Sequence, residues 1–239
     1  MTKSKSKVSI VVCARNEEDL IEFCLLCLKK QTVKCEIIVV DGHSTDKTVE
    51  ISKKYADKVV YDNQKGVSDA RNIGWITASG DIVAYCDADA RPLPDWIEKI
   101  IEVFKDKKVI GVSGPVFPYD DSGLAYTNLK IWTDGFFGLT AKLNFPFICG
   151  PNMAFRKTVL TKNPFMSKHI EEVELNERLR KVGKVKFRND IQMPISARRY
   201  KTSFYQMAIK HYIKNYLKIK MGQKLGDDMG YFESKGKSF

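Results

Sequence analysis

Through its first 110 residues this chain alternates short, β-branched apolar runs with stretches of helical period, and few folds accommodate that alternation. Val8-Ser-Ile-Val-Val12, Ile37-Ile-Val-Val40, Val59-Val-Tyr61, Asp81-Ile-Val-Ala-Tyr-Cys86 and Val109-Ile-Gly-Val112 read as strands. Between them, helices are expected from Asn16-Glu-Glu-Asp19, from Lys47 to about Tyr55, from Ser68 to Ala78, and from Pro94-Asp-Trp96 to about Phe104. Acids in the first turn of the first helix suit its dipole, and Ser44-Thr-Asp46 can cap the second. Continuous apolar strands alternating with helices predict an α/β fold, a mostly parallel sheet sandwiched by helices. Such a sheet binds ligands in the crevice beyond the carboxyl ends of its strands. Three polar clusters fall at those ends: Ala14-Arg-Asn-Glu17, Asp41 and Asp87-Ala-Asp89.

Beyond this frame the pattern changes. Phe117 to Pro151 is rich in Gly, Pro and aromatics, including Trp132, Phe136, Phe137, Phe145 and Phe147, and reads either as an elaborated segment that lines a pocket or as plain packing of an irregular region. A charged helix follows from Glu171 to Lys181, then a strand near Val185-Lys-Phe187. Ser203 to Lys220 has helical period, with Lys210, Lys214 and Lys218 on one face and Tyr205, Ile209, Tyr212, Ile213, Tyr216 and Leu217 on the other. That helix can dock on the body, lie on a membrane surface or self-associate. The division is a main domain over 1–200 and a basic amphipathic helix with its tail over 201–239.

At 239 residues the chain can bury a sizeable core. No apolar run reaches the ~18–20 residues of a membrane span, and the basic start has no cleavable pattern. The net charge of +11 is concentrated: from Arg198 onward ten Lys/Arg face three Asp/Glu, which is +7 of the total. A basic tail suggests an anionic surface nearby, whereas a uniform basic coat would suggest nucleic acid. Six cysteines, Cys13, Cys24, Cys27, Cys35, Cys86 and Cys149, sit mostly in apolar segments, as reduced thiols of a cytoplasmic protein would. Cys24 and Cys27 form a lone C-x-x-C without a second pair at zinc spacing, and read as helix packing.

Asp87-Ala-Asp89 offers two hard carboxylates just past a buried strand, ligands suited to Mg²⁺ or Mn²⁺. With its neighbours it carries a resemblance. Val8 to Glu17, Val39-Val-Asp-Gly-His-Ser-Thr-Asp-Lys-Thr48, Ala70-Arg-Asn-Ile-Gly74 and Asp81 to Asp89, in this order and spacing, resemble the family 2 glycosyltransferases of GT-A fold. The resemblance runs from about Val8 to Arg199. It implies transfer of a sugar, with inversion, from a nucleoside-diphosphate donor (UDP or GDP) that a divalent cation helps to hold. Asp41 would accept a hydrogen bond from the base, and Ala14, Asn16 and Glu17 would shape the nucleoside pocket. Arg71 would hold the nucleotide side of the donor, Asp87 would contact the ribose or support the metal, and Asp89 would bind it directly. On the residues alone Asp41 also fits a turn leading into a helix, Arg71 a surface ion pair and Glu17 a helix start.

Gly150-Pro-Asn-Met-Ala-Phe-Arg-Lys157 resembles the family's segment beside donor sugar and acceptor. Ile170-Glu-Glu-Val-Glu-Leu175 stands where the family shows Glu-Asp, so the resemblance puts the catalytic base on Glu172, supported by Glu171, with Glu174 second. Glutamate replaces the usual aspartate there, moving the carboxylate by roughly 1.5 Å, on a scale where a misplacement of ~1 Å matters. Arg198 and Arg199, in Ser196-Ala-Arg-Arg-Tyr200, resemble a basic element facing the diphosphate. The Gln/Arg-x-x-Arg-Trp motif of processive synthases is absent, which favours single-sugar addition. The acceptor would be a glycan or a lipid-linked molecule, the protein cytoplasmic or peripheral at the cytoplasmic membrane face, and nucleic acid no partner. A sugar-nucleotide pyrophosphorylase would need a glycine-rich loop after the first strand, and Cys13 to Glu17 contains no glycine. A relative that binds nucleotide-sugar or a membrane surface without turnover is the alternative.

Overall fold

The computed structural model describes residues 7–121, 123–142, 148–166 and 171–199, together with Met221. In chain order the elements are β1 (Val8–Ala14), α1 (Ile21–Lys29), β2 (Glu36–Asp41), α2 (Thr48–Tyr55), β3 (Lys58–Tyr61), α3 (Val67–Thr77), β4 (Ile82–Asp87) and α4 (Trp96–Phe104). Then come β5 (Val109–Ser113), β6 (Val116–Pro118), α5 (Leu124–Lys130), a π-helical stretch (Ile131–Phe137), α6 (Gly138–Lys142) and β7 (Met153–Arg156). The described elements close with α7 (Lys157–Lys162), α8 (Glu171–Leu179), β8 (Lys184–Phe187), β9 (Met193–Ile195) and a 3₁₀ turn (Ala197–Arg199).

Seven strands form one sheet in the order β3-β2-β1-β4-β7-β5-β8. β7 pairs antiparallel with both β4 and β5, while the other pairings are parallel, so β7 alone runs against the rest. The sheet is mixed and mostly parallel, as the alternation predicts. β6 and β9 pair in parallel as a second, two-stranded sheet.

Strand alternation sends successive side chains to opposite faces, and the core divides accordingly. Val8, Ile10, Val12, Ile37, Val39, Ile82, Ala84 and Cys86 pack on one face against α1 and α4. Val11, Ile38, Val40, Val83, Tyr85 and Phe155 pack on the other, against α3, α7 and α8. Ile21, Cys24, Leu25 and Leu28 supply the buried stripe of α1 at helical spacing. Cys24 of the C-x-x-C is fully buried in that stripe and Cys27 lies only partly covered, in line with helix packing.

Two expectations are corrected. The first helix starts at Ile21, not at Asn16. Asn16 sits at φ 54°, outside the helical region, and the turn closes when Glu17 O accepts from the amides of Leu20 and Ile21 at 3.0 and 2.9 Å. The stretch from Phe117 is also not irregular throughout, since Leu124 to Lys142 is helical without a break. Within it Trp132 stacks on Phe136 at 4.8 Å, four residues on, and Phe137 is buried. Phe145, Phe147 and the expected helix over 203–220 lie outside the described residues. Among the described residues no helix is long and apolar enough to cross a membrane.

Candidate active site

The register of the central strands sets the site. Ala14 pairs with Asp41 and Cys13 with Asp87, so the carboxyl ends of β1, β2 and β4 stand level along one edge. The chain leaves each at a polar cluster. After β1, Asn16 and Glu17 are tied to the segment following β2. The Asn16 amide donates to Ser44 Oγ at 2.9 Å, Asn16 Oδ1 accepts from the Thr45 amide at 2.9 Å, and the Glu17 amide donates to Thr48 Oγ1 at 2.8 Å. Asp41 is fully buried, and its carboxylate accepts from Ser44, the amide at 2.9 Å and the hydroxyl at 2.5 Å. The Gly42 amide donates to Ala14 O at 2.8 Å, stitching the two strand ends together.

At the end of β4 the chain turns through Asp87, whose carbonyl accepts from the Ala90 amide at 3.1 Å. Ala90 then bridges to Ile195, and the Arg91 amide donates to Pro194 O at 2.8 Å, which seats β9 beside the turn. Asp120 grips the far end of β9, accepting from Ser196 Oγ at 2.7 Å and the Ala197 amide at 2.6 Å. This brings Arg198 over the turn. Its guanidinium donates to both carboxylate oxygens of Glu17 and lies 3.2 Å from Asp89 Oδ2. Glu17 and Asp89 are buried, 8% and 5% exposed, whereas the Arg198 side chain is 38% exposed. Two buried carboxylates from different strands thus share one accessible cation. The Arg199 side chain lies outside the described residues.

A second cluster stands on the opposite face of the sheet. Arg71 on α3 is buried and donates through Nη1 to Glu171 Oε1, with Glu172 Oε2 3.9 Å away. A surface pair is thereby corrected to a buried one, because α8 lays its first turn over α3. Glu171 and Glu172 fall on the buried side of α8 with Leu175, Asn176 and Leu179. Glu174 turns away and is held by Arg178 at 2.5 and 2.9 Å. Burial pushes the Glu171 carboxyl up to about 8 against the pull of Arg71, with the adjacent Glu172 raising it further. Arg71, Asp87, Glu171 and Asp62 all act on Cys13, whose thiol burial pushes up to about 12, so it stays protonated near neutrality.

The Gly150-Pro-Asn segment enters at this edge too, because the reversed β7 begins here, with Met153 opposite Tyr85 and Ser113. Asn152 is buried and fixes the turn. Its Oδ1 accepts from Trp96 Nε1 at 2.9 Å, and its Nδ2 donates to Pro115 O and Ile191 O at 3.0 and 2.7 Å. Sequence reasoning placed Asn152 only within the Gly150–Lys157 segment and did not reach Asp120 or Arg91. Arg91 lays its guanidinium 3.7 Å from the Tyr119 ring centre, beside the Asp89 turn. The first two act through backbone groups distant in sequence, which no spacing rule reveals.

Among the described residues no group of three or more His, Cys, Asp and Glu side chains could hold a metal ion. The chemistry on offer is a pair of buried carboxylates sharing one accessible arginine, and a glutamate pair beside a buried arginine.

Comparison with known proteins follows this geometry. Solved structures of similar fold include a mannosyltransferase from Pyrobaculum calidifontis in complex with GDP-Man and Mn²⁺, at TM-score 0.71 and 20% identity, covering 94% of this chain and 67% of that one. Glucosyl-3-phosphoglycerate synthase from Mycobacterium tuberculosis, in complex with Mn²⁺, UDP and glucosyl-3-phosphoglycerate, matches at TM-score 0.66 and 19% identity, covering 92% and 82%. Among curated proteins, glycosyltransferase AglE of Haloferax volcanii is 32% identical over 147 residues, 55% of this chain and 48% of its own length. The chain spans about half the length of that relative. The model of the family described as glycosyl transferase family 2 matches residues 9–163, well over half of the chain. By that match, and by a sheet whose strand ends gather the expected acids, this chain belongs to glycosyl transferase family 2.

Proposed function

We propose that the protein is an inverting glycosyltransferase that moves a sugar from a UDP or GDP donor to a glycan or lipid-linked acceptor, one sugar at a time. The observation that carries this reading is the sharing of Arg198 by Glu17 and Asp89 at the strand ends. Family membership and the likeness to solved structures holding Mn²⁺ with UDP or GDP-Man support it.

The residues fit a divalent cation. Buried carboxylate oxygens that already converge on one positive group are hard ligands, and Mg²⁺ or Mn²⁺ needs only one or two of them when donor phosphates complete its shell. In this reading Asp89 holds the ion and Asp87 supports it or meets the ribose. When bound, such an ion stabilises the charge that develops on the departing diphosphate. Asp41 accepts from the base, while Ala14, Asn16 and Glu17 form the nucleoside wall. Arg198 is accessible enough to pair with phosphate oxygens, and Arg199 follows it in sequence as a second candidate for that role. Glu172 takes the proton of the acceptor hydroxyl as its oxygen attacks the anomeric carbon. The bond to the diphosphate oxygen breaks on the opposite face, which inverts the centre.

The test is donor breakdown. Given Mn²⁺, the protein should slowly release nucleoside diphosphate from UDP-glucose or GDP-mannose, and Asp89→Ala should abolish that release. If both proteins bind donor with the same metal dependence and neither turns it over, the chain binds nucleotide-sugar without catalysis.

A further inference from the structure

The two clusters each hold an arginine, and the two have opposite commitments. The side chain of Arg198 is 38% exposed and that of Arg71 only 7%. Four features hold the Arg71 guanidinium. Nη1 donates to Glu171 Oε1; Glu172 Oε2 lies 3.9 Å away, near enough to feel the charge and too far for a hydrogen bond to it. The Phe165 ring centre stands 5.7 Å from Cζ. Gly150 closes the last side, for a Cβ there would come within 2.7 Å of Nη2. The backbone is pinned as well, since Arg71 O accepts from Tyr85 Oη at 3.3 Å.

A group enclosed in this way is poorly placed to reach a donor. We infer that Arg71 is a positioning residue for Glu172: by clamping Glu171 it fixes the first turn of α8, and with it the carboxylate that accepts the acceptor proton. This rests on the glycosyltransferase reading above. Adjacent residues of a helix point about 100° apart, so fixing Glu171 fixes the direction of Glu172 as well. The glycine at 150 is then part of the same device. A methyl group there would stand 2.7 Å from Nη2 at the tip of Arg71, so the guanidinium must shift to admit it.

Donor holding and base positioning predict different kinetics, because a group that acts only in the chemical step lowers kcat without weakening donor binding. Wild type, Arg71→Met, Arg71→Lys and Gly150→Ala are compared for UDP and GDP affinity by calorimetry with Mn²⁺, and for kcat and KM of UDP-glucose and GDP-mannose breakdown. Arg71→Met and Gly150→Ala should each lose about a hundredfold in kcat, the scale of a ~1 Å misplacement, with nucleotide affinity and donor KM within about twofold of wild type. Arg71→Lys should recover part of the loss, since an ammonium can still pair with Glu171 without the planar fork. Gly150→Ala leaves Arg71 itself intact, so it reports on the clamp should Arg71→Met fold poorly. A tenfold or greater fall in nucleotide affinity on losing Arg71, or unchanged kcat in Gly150→Ala, overturns the inference and leaves the proposed function standing. A wild-type protein that binds neither nucleotide and breaks down neither donor removes the function, and the inference with it.

Discussion

Glu172 and Glu174 differ by two positions and by everything that surrounds them. Glu172 is 8% exposed and faces Arg71, while Glu174 is spent on Arg178 along the helix surface. Glu172→Gln should therefore cost about a hundred- to ten-thousand-fold in turnover, as loss of a general base does, with UDP affinity retained. Glu174→Gln should leave turnover near wild type; the reverse pattern in a steady-state assay would move the base to Glu174. Glu171 carries a stability signature of its own. Its folded pKa, about 8, lies above the ordinary glutamate value of 4.5, so the folded state binds more protons between those limits. Its contribution is complete below pH 4.5 and fades as pH rises toward 8, with a slope of at most about 1.4 kcal/mol per pH unit. Glu171→Gln should flatten that part of a urea-denaturation profile, and an unchanged slope would count against a raised carboxyl. Much at this scale was legible in sequence. Asp89, Glu17 and Glu172 stand in recognisable order, and the 172, 175, 179 spacing itself sets a glutamate on an apolar helix face. The partnership of Arg198 with Glu17 was not, because 181 residues separate them and only the seating of β9 beside the Asp89 turn brings them together.

Elements divide along similar lines. β1, β2 and β4 announce themselves as continuous β-branched runs because they are buried on both faces. β6, β7 and β9, Val-Phe-Pro, Met-Ala-Phe-Arg and Met-Pro-Ile, are three or four residues long, and only their distant partners make them strands. Gly74 shows what a motif glycine does here. It lets α3 settle on β1, and a Cβ at that position would stand 2.3 Å from Val11 Cγ1 and 2.9 Å from Cγ2. Val11 is a fully buried, β-branched residue of the central strand and has nowhere to retreat. Gly74→Ala should cost about 1–3 kcal/mol, read as a lowered midpoint in chemical denaturation. A midpoint equal to wild type would mean that α3 can slide without penalty.

For the molecule as a whole, charge is the feature that sequence states and the described residues do not exhaust, since +7 of +11 lies from Arg198 onward. If the 203–220 segment lies on an anionic membrane, each lysine near the surface contributes about 1 kcal/mol. The full chain should then sediment with phosphatidylserine-rich vesicles at low salt and come off as salt rises. Replacing Lys210, Lys214 and Lys218 with Glu should abolish sedimentation; a wild-type chain left in the supernatant would count against a peripheral location. One last consequence lies in the reversed β7. A strand that runs against its neighbours starts where they finish, so the excursion between Pro118 and Met153 departs from and returns to a single rim. Lengthening or replacing that excursion shifts no register among β1, β2 and β4. The excursion is nonetheless bound into the rim it leaves, through Asp120 to β9 and Asn152 to Trp96, so a replacement must keep those two anchors.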